Sequence, residues 1–201
     1  MGKKILVVGG TGTIGQAVVR LLSGANEVIA VGRSRGDYRV DIADSSSIKS
    51  LFERVGKLDA VVSAAGDLHF GPLTEMTAEA FRVGLNSKVL GQVDLALTAQ
   101  RFLNDGGSIT LTSAMVAQEP IRFGANATAC TAAIEGFVLA AAVELPRGLR
   151  INAVSPTVLQ ESLTTFGPFF PGIEPAPASR VAMGYLRSID GVQTGRVFRV
   201  W

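Results

Sequence analysis

Apolar residues in this chain alternate between short continuous runs and longer stretches where they recur every three or four positions. The runs at 5–8, 27–31, 38–42, 58–65, 108–113, 149–154 and 195–201 have the length and continuity of strands, the first of them uninterrupted as burial on both faces requires. Between them, helical spacing covers 17–22, 46–55, 81–103, 127–145 and 178–189. Asp44 and Thr77 stand where N-caps belong. Asn104, Asp105, Gly106 and Gly107 break one helix, and Pro146 stops another. Strand alternating with helix predicts an α/β fold: a doubly wound parallel sheet of about seven strands with helices on both faces and right-handed crossovers. Its 201 residues suit a single domain. In such a sheet, ligands bind beyond the carboxyl ends of the strands. The Pro-, Gly- and Phe-rich stretch 157–177 is too apolar for a solvated linker and reads as a substrate lid or packed flap.

The first strand-to-helix junction carries the clearest chemistry. Ile5 to Val8 run into Gly9, Gly10, Thr11, Gly12, Thr13, Ile14 and Gly15, and helical spacing begins at Ala17. Gly10-x-Gly12-x-x-Gly15 satisfies a dinucleotide-binding fingerprint in the context that motif demands. The glycines supply a tight turn, close backbone approach to a pyrophosphate and close helix–sheet packing. The helix start offers free N–H groups to the phosphates. A carboxylate at the end of the second strand would accept hydrogen bonds from a ribose 2′-OH. Here Gly32, Arg33, Ser34 and Arg35 follow instead. A guanidinium and a hydroxyl suit a 2′-phosphate, so NADP(H) is the expected cofactor, with NAD(H) the alternative. The competing reading makes Arg33 and Arg35 solvated loop charges.

Composition narrows the rest. The chain is 47% hydrophobic and 18% charged, which fits a globular protein. A net charge of +2 provides no extended basic surface for nucleic acid. One cysteine, Cys130, excludes a disulfide framework, and one histidine, His69, excludes a multi-histidine metal centre. We expect no membrane span, since no apolar run reaches about 18 residues. The N-terminus enters the first strand directly, so a cytoplasmic location without a signal peptide is expected.

These motifs together resemble the short-chain dehydrogenase/reductase family, along the whole chain. Gly9, Gly12 and Gly15 look like its cofactor loop, and Asp41-Ile42 is similar to the pair that contacts the adenine. Ser63-Ala64-Ala65-Gly66 resembles its N-N-A-G turn. Asn86 falls where the active-site asparagine of the family would lie, and Ser113 looks like the catalytic serine. Ser155-Pro156-Thr157, continuing to Val158, resembles the stretch that closes over the nicotinamide. The resemblance implies a Rossmann fold and an NADP(H)-dependent oxidoreductase acting on a small carbonyl or alcohol. It also implies a homodimer or homotetramer built on the helices at 86–103 and 127–145.

One departure is chemical. The family's Tyr-x-x-x-Lys would fall on Ala127 and Thr131, and neither tyrosine nor lysine occurs in that helix. Alanine cannot serve as a general acid, a role typically worth about 10² to 10⁴ in rate. Among possible substitutes, His69 carries the side-chain type most often used as a general acid, although a solvated loop histidine is the simpler reading. Lys88, two residues past Asn86, reads as a surface lysine, because two helical steps turn about 200°. Arg122 is either an anion-binding or a solvated loop residue, and Cys130 reads as a small core residue. A catalytically inactive NADP(H)-binding sensor or regulator is therefore the alternative function.

Overall fold

Ile5, Leu6 and Val7 are fully buried and Val8 nearly so, in the central strand β1 (Lys4–Val8). Their continuous run is explained by helices on both sides. In the computed structural model, which describes residues 2–201, Leu6 and Val8 face one core and Ile5 and Val7 the other. The remaining strands are β2 (Glu27–Gly32), β3 (Tyr38–Arg39), β4 (Leu58–Ser63), β5 (Leu103–Thr112), β6 (Arg150–Pro156) and β7 (Val197–Val200). Every neighbouring pair is parallel, in the order β3-β2-β1-β4-β5-β6-β7. The chain winds outward in both directions from β1 and β4, so a crevice opens beyond their carboxyl ends.

Helices α1 (Thr13–Leu22) and α7 (Ala178–Asp190) cover the face of Ile5 and Val7. The opposite face is covered by α2 (Ser45–Val55), α4 (Gln92–Phe102) and α5 (Ala125–Glu144). Asp44 caps α2 as its position predicts, accepting from the Ser46 backbone N–H. The hydrogen bonds from Ser46 hold the Asp44 carboxyl below its ordinary range.

Four elements differ from the sequence expectation. The third strand stops at Arg39, because the Asp41 carboxylate turns the chain by accepting from Ala43 N–H. The helix expected over 81–103 is three segments: α3 (Ala78–Gly84), a π-helical stretch (Leu85–Gly91) and α4. β5 starts at Leu103, with a register shift against β4 that absorbs the glycines before Ser108. By length and composition, α5 is long and apolar enough to cross a membrane, contrary to expectation, since eight alanines together with Cys130, Ile134, Phe137, Val138, Leu139 and Val143 make most of its 20 residues apolar. Its inner side, including Ile134 and Val138, packs in the core over the sheet.

The stretch 157–177 packs its aromatic rings against Phe70. It contains the single-turn helix α6 (Leu163–Phe166) and returns to itself through a bridge between Leu159 and Ala176. Phe70 meets Phe166 and Phe169 at ring-centroid distances of 5.7 and 5.8 Å.

Candidate active site

The loop from β1 to α1 is shaped by its glycines, each in a different way. Gly9 has φ +81°, and a Cβ there would lie 2.5 Å from the Ala64 carbonyl oxygen. A Cβ on Gly15 would lie 2.0 Å from the Gly9 oxygen, so α1 can approach the strand only with glycine there. Gly10 is buried with its N–H on Val31 O, and a Cβ would press on Ala30. Gly12 differs: an added Cβ would meet only Gly9 O at 3.4 Å. Gly12 therefore leaves open space rather than relieving an internal clash. It lines a cleft of about 410 Å³ with Gly9, Thr11, Ile14, Arg33, Ile42, Ala64, Ala65 and Gly66. The first N–H groups of α1 belong to Thr13 and Ile14, with no side-chain cap to occupy them. A phosphate fits that terminus.

Arg33 lies across the outer end of this cleft, with Nη2 2.6 Å from Asp67 Oδ2. The Asp67 hydrogen bond and charge hold the guanidinium pKa above its ordinary value. Both groups are more than half exposed, so the pair is weak and can exchange partners. Ser34 and Asp41 are exposed beside it, the latter engaged with Ala43 N–H.

A second cleft, of about 540 Å³, joins the first at Ile14, Gly66, Asp67, Lys88 and Thr112. Ser113, Met115, Pro156, Thr157 and Val158 form its floor and side, and Phe70, Phe166 and Phe170 line the opposite wall. Thr157 donates to Glu174 O at 3.1 Å, tying the floor to the end of the stretch 157–177. The walls are mainly apolar with a few polar groups converging where the two clefts meet, an arrangement suited to a small organic molecule held against a nucleotide.

The structure moves two residues from their expected places. Asn86 is exposed and lines a separate surface groove with Ile42 and Leu90. Lys88, expected at the surface, is 6% exposed and forms part of the wall where the clefts join. The π-helical stretch accounts for both. Its i→i+5 closure widens the turn, so the facing predicted from 3.6 residues per turn fails: Ser87, Lys88 and Gly91 turn inward and Asn86 outward. Side chains fix the stretch in place. Gln92 Nε2 donates to Lys88 O and Thr112 O at 3.0 Å each, while its Oε1 accepts from Thr112 N. Ser87 Oγ accepts from Asp67 N–H. Gly66, at φ +118°, leaves room for the Lys88 stem, which a Cβ would meet at 2.7 Å. Burial lowers the Lys88 pKa to about 8, against the opposing charge of Asp67.

Ser113 is at the expected strand end and lines the second cleft, but its hydroxyl donates to Glu135 Oε1 at 2.6 Å and lies 3.2 Å from Thr131 O. Glu135 escaped the sequence reading, since one acid on an alanine-rich helix carries no motif. Ala127 and Thr131 are fully buried, outside both cleft walls, and Thr131 Oγ1 bonds back to Ala127 O. His69 is tied by its backbone N–H to Asn126 and folds over Gly71, outside both walls. Arg122 stacks on Phe123 at the surface. Cys130 is a core residue, its thiol pushed up by burial. Tyr185 is fully buried beneath the sheet, 2.6 Å from Thr112 Oγ1, and burial raises its pKa strongly.

A family model described as enoyl-(acyl carrier protein) reductase matches residues 13–198. The crystal structure of the protein lin1944 from Listeria innocua is 47% identical, with a TM-score of 0.97 over 98% of this chain and 99% of its own. A small-chain dehydrogenase solved in complex with NADPH is 29% identical, with a TM-score of 0.89 over 100% of this chain and 97% of its own. Among curated sequences, the uncharacterized oxidoreductase Rv1714 of Mycobacterium tuberculosis (strain ATCC 25618 / H37Rv) is 30% identical over 81% of this chain and 69% of its own length.

Proposed function

The chain belongs to the short-chain dehydrogenase/reductase family of oxidoreductases, and from that premise we propose that it is an NADP(H)-dependent reductase of a small carbonyl compound. The observation that carries this reading is the junction of a glycine-lined nucleotide cleft with an apolar pocket. In the first cleft, the α1 N-terminus and the space over Gly12 suit the pyrophosphate. Ile42, beside Asp41, suits the adenine, and Arg33 with Ser34 suits a 2′-phosphate. Ala64, Ala65 and Gly66 border the inner end, and Pro156, Thr157 and Val158 border the second cleft. When bound, the nicotinamide supplies or accepts hydride. The chain's own residues orient the carbonyl, and Phe70, Phe166 and Phe170 keep water from it. Ser113 is in position to hydrogen-bond the substrate oxygen once its hydroxyl rotates from Glu135.

The vacated positions at Ala127 and Thr131 support a second reading, a catalytically inactive NADP(H)-binding sensor. The two separate in one experiment: NADPH oxidation followed across a panel of small aldehydes and ketones. Turnover, reduced in Ser113→Ala, is the expected result. Tight NADPH binding with no turnover across the panel would establish the sensor instead. We further propose self-association as a homodimer or homotetramer, since α4 and α5 leave Leu97, Leu139 and Val143 exposed.

A further inference from the structure

A buried ammonium without a partner is expensive, and perturbed titratable groups in a cleft cluster at functional sites. Lys88 approaches that case, with its stem enclosed and its amine at the cleft walls. It is 6% exposed, and among the described residues its Nζ makes no hydrogen bond or ion pair. Its side chain forms wall in both clefts at once.

We propose that Lys88 is the proton donor to the substrate oxygen, replacing the tyrosine and lysine that are absent at Ala127 and Thr131. This rests on the carbonyl-reductase reading above. Three independent features bring the amine to this point. The π-helical turn rotates it inward, Gln92 holds its backbone to Thr112 at the end of β5, and Gly66 clears the path of its stem. Neither nearby hydroxyl can give up its proton there: Ser113 is an aliphatic alcohol that can hydrogen-bond the oxygen but not protonate it, and Tyr185 is held at Thr112 beneath the sheet. The titratable groups facing Lys88 are Asp67, from the loop after β4, and Cys130, from α5. Asp67 favours the charged form, the Cys130 thiol is kept protonated by burial, and the burial of Lys88 itself outweighs Asp67, which leaves the ammonium acidic enough to release a proton near neutral pH.

The step balances as a carbonyl reduction. The carbonyl carbon accepts a hydride from the reduced nicotinamide, and the C=O π pair moves onto oxygen. That oxygen takes a proton from Lys88, forming the alcohol. The carbonyl is reduced, the nicotinamide is oxidised, and the neutral amine regains its proton from water.

The test begins with NADPH binding to the wild-type chain by fluorescence. No binding would overturn the cofactor reading itself, irrespective of Lys88. With binding in hand, peptide-resolved acetylation of Lys88 is followed against pH, with and without NADPH. Half-maximal reactivity near pH 8, suppressed by bound NADPH, is expected. Titration as an ordinary surface lysine, or labelling indifferent to bound NADPH, would overturn the proposal. Single-turnover oxidation of bound NADPH by 9,10-phenanthrenequinone supplies the chemical readout. In Lys88→Met, the rate should fall by about 10² or more with NADPH affinity held within a few-fold. Lys88→Arg keeps the charge but cannot release a proton, and should be equally slow. The wild-type rate should fall as pH rises through about 8. A Lys88→Met or Lys88→Arg rate equal to wild type, or no dione reduction by NADPH-loaded wild type, would refute it.

Discussion

Single atoms separate the glycines of the first loop into structural and functional ones. Gly15→Ala would force a Cβ to within 2.0 Å of Gly9 O, so it should destabilise the fold. We expect a cost of about 1–3 kcal/mol, read as a lower thermal midpoint. Gly12→Val should fold normally, because the space over Gly12 is open, yet lose NADPH binding, because its side chain would fill the pyrophosphate's place. Normal affinity in that variant would place the nucleotide elsewhere. Lys88 inverts the usual expectation for a buried residue. Its folded pKa, about 8, lies below the ordinary 10.5 of an unfolded lysine. The unfolded chain therefore binds more protons between these values, and stability rises with pH across that window and is lower below it. The difference corresponds to about 3 kcal/mol. Lys88→Met should consequently raise the melting temperature at pH 7 by several degrees, while slowing turnover by about 10² or more. A lysine kept for structure would give the opposite sign.

At the scale of elements, the π-helical stretch decides how the site is built. Glycines sit at both of its ends. A Cβ on Gly84 would lie 2.3 Å from Asn126 Oδ1 and 2.7 Å from Cys130 Sγ, and one on Gly91 would lie 2.7 Å from Ile42 O. These contacts press the stretch between α5 and the chain following β3. Gly84→Ala should thus lower stability by about 1–3 kcal/mol and also weaken turnover by shifting Lys88, measurable by thermal denaturation and NADPH oxidation together. This stretch also marks the limit of sequence reading. The strands, the glycine loop and the Asp44 cap were legible because each rests on local pattern: continuous apolar runs, a fixed spacing, or a carboxylate ahead of a helix. A π turn has no such pattern. Phe81, Leu85 and Val89 keep helical spacing through it, so a regular helix was assumed and Asn86 and Lys88 exchanged places. Glu135 and Gln92 were invisible for a related reason. Their partners, Ser113 and Thr112, lie about twenty residues away and come within reach only when β5 packs against the helices.

For the whole molecule, winding in both directions from β1 and β4 brings the glycine loop, the turn after β4, the end of β5 and the Pro156 stretch to one edge of the sheet. The same winding puts α4 and α5 on one outer face, where Leu97, Leu139 and Val143 are 51%, 59% and 84% exposed. That much apolar surface on neighbouring helices favours burial against another copy. Sedimentation velocity should show a dimer or tetramer, and Leu139→Glu with Val143→Glu should shift it to monomer. Monomeric wild type would remove self-association from the account. The central claim, however, is the nucleotide cleft and its Arg33 mouth. Its most direct test is calorimetric titration with NADPH and, separately, NADH. The account predicts NADPH binding at least tenfold tighter, with most of that preference lost in Arg33→Ala. Equal affinity for both cofactors would contradict the role given to Arg33, and binding of neither would contradict the function proposed for the fold.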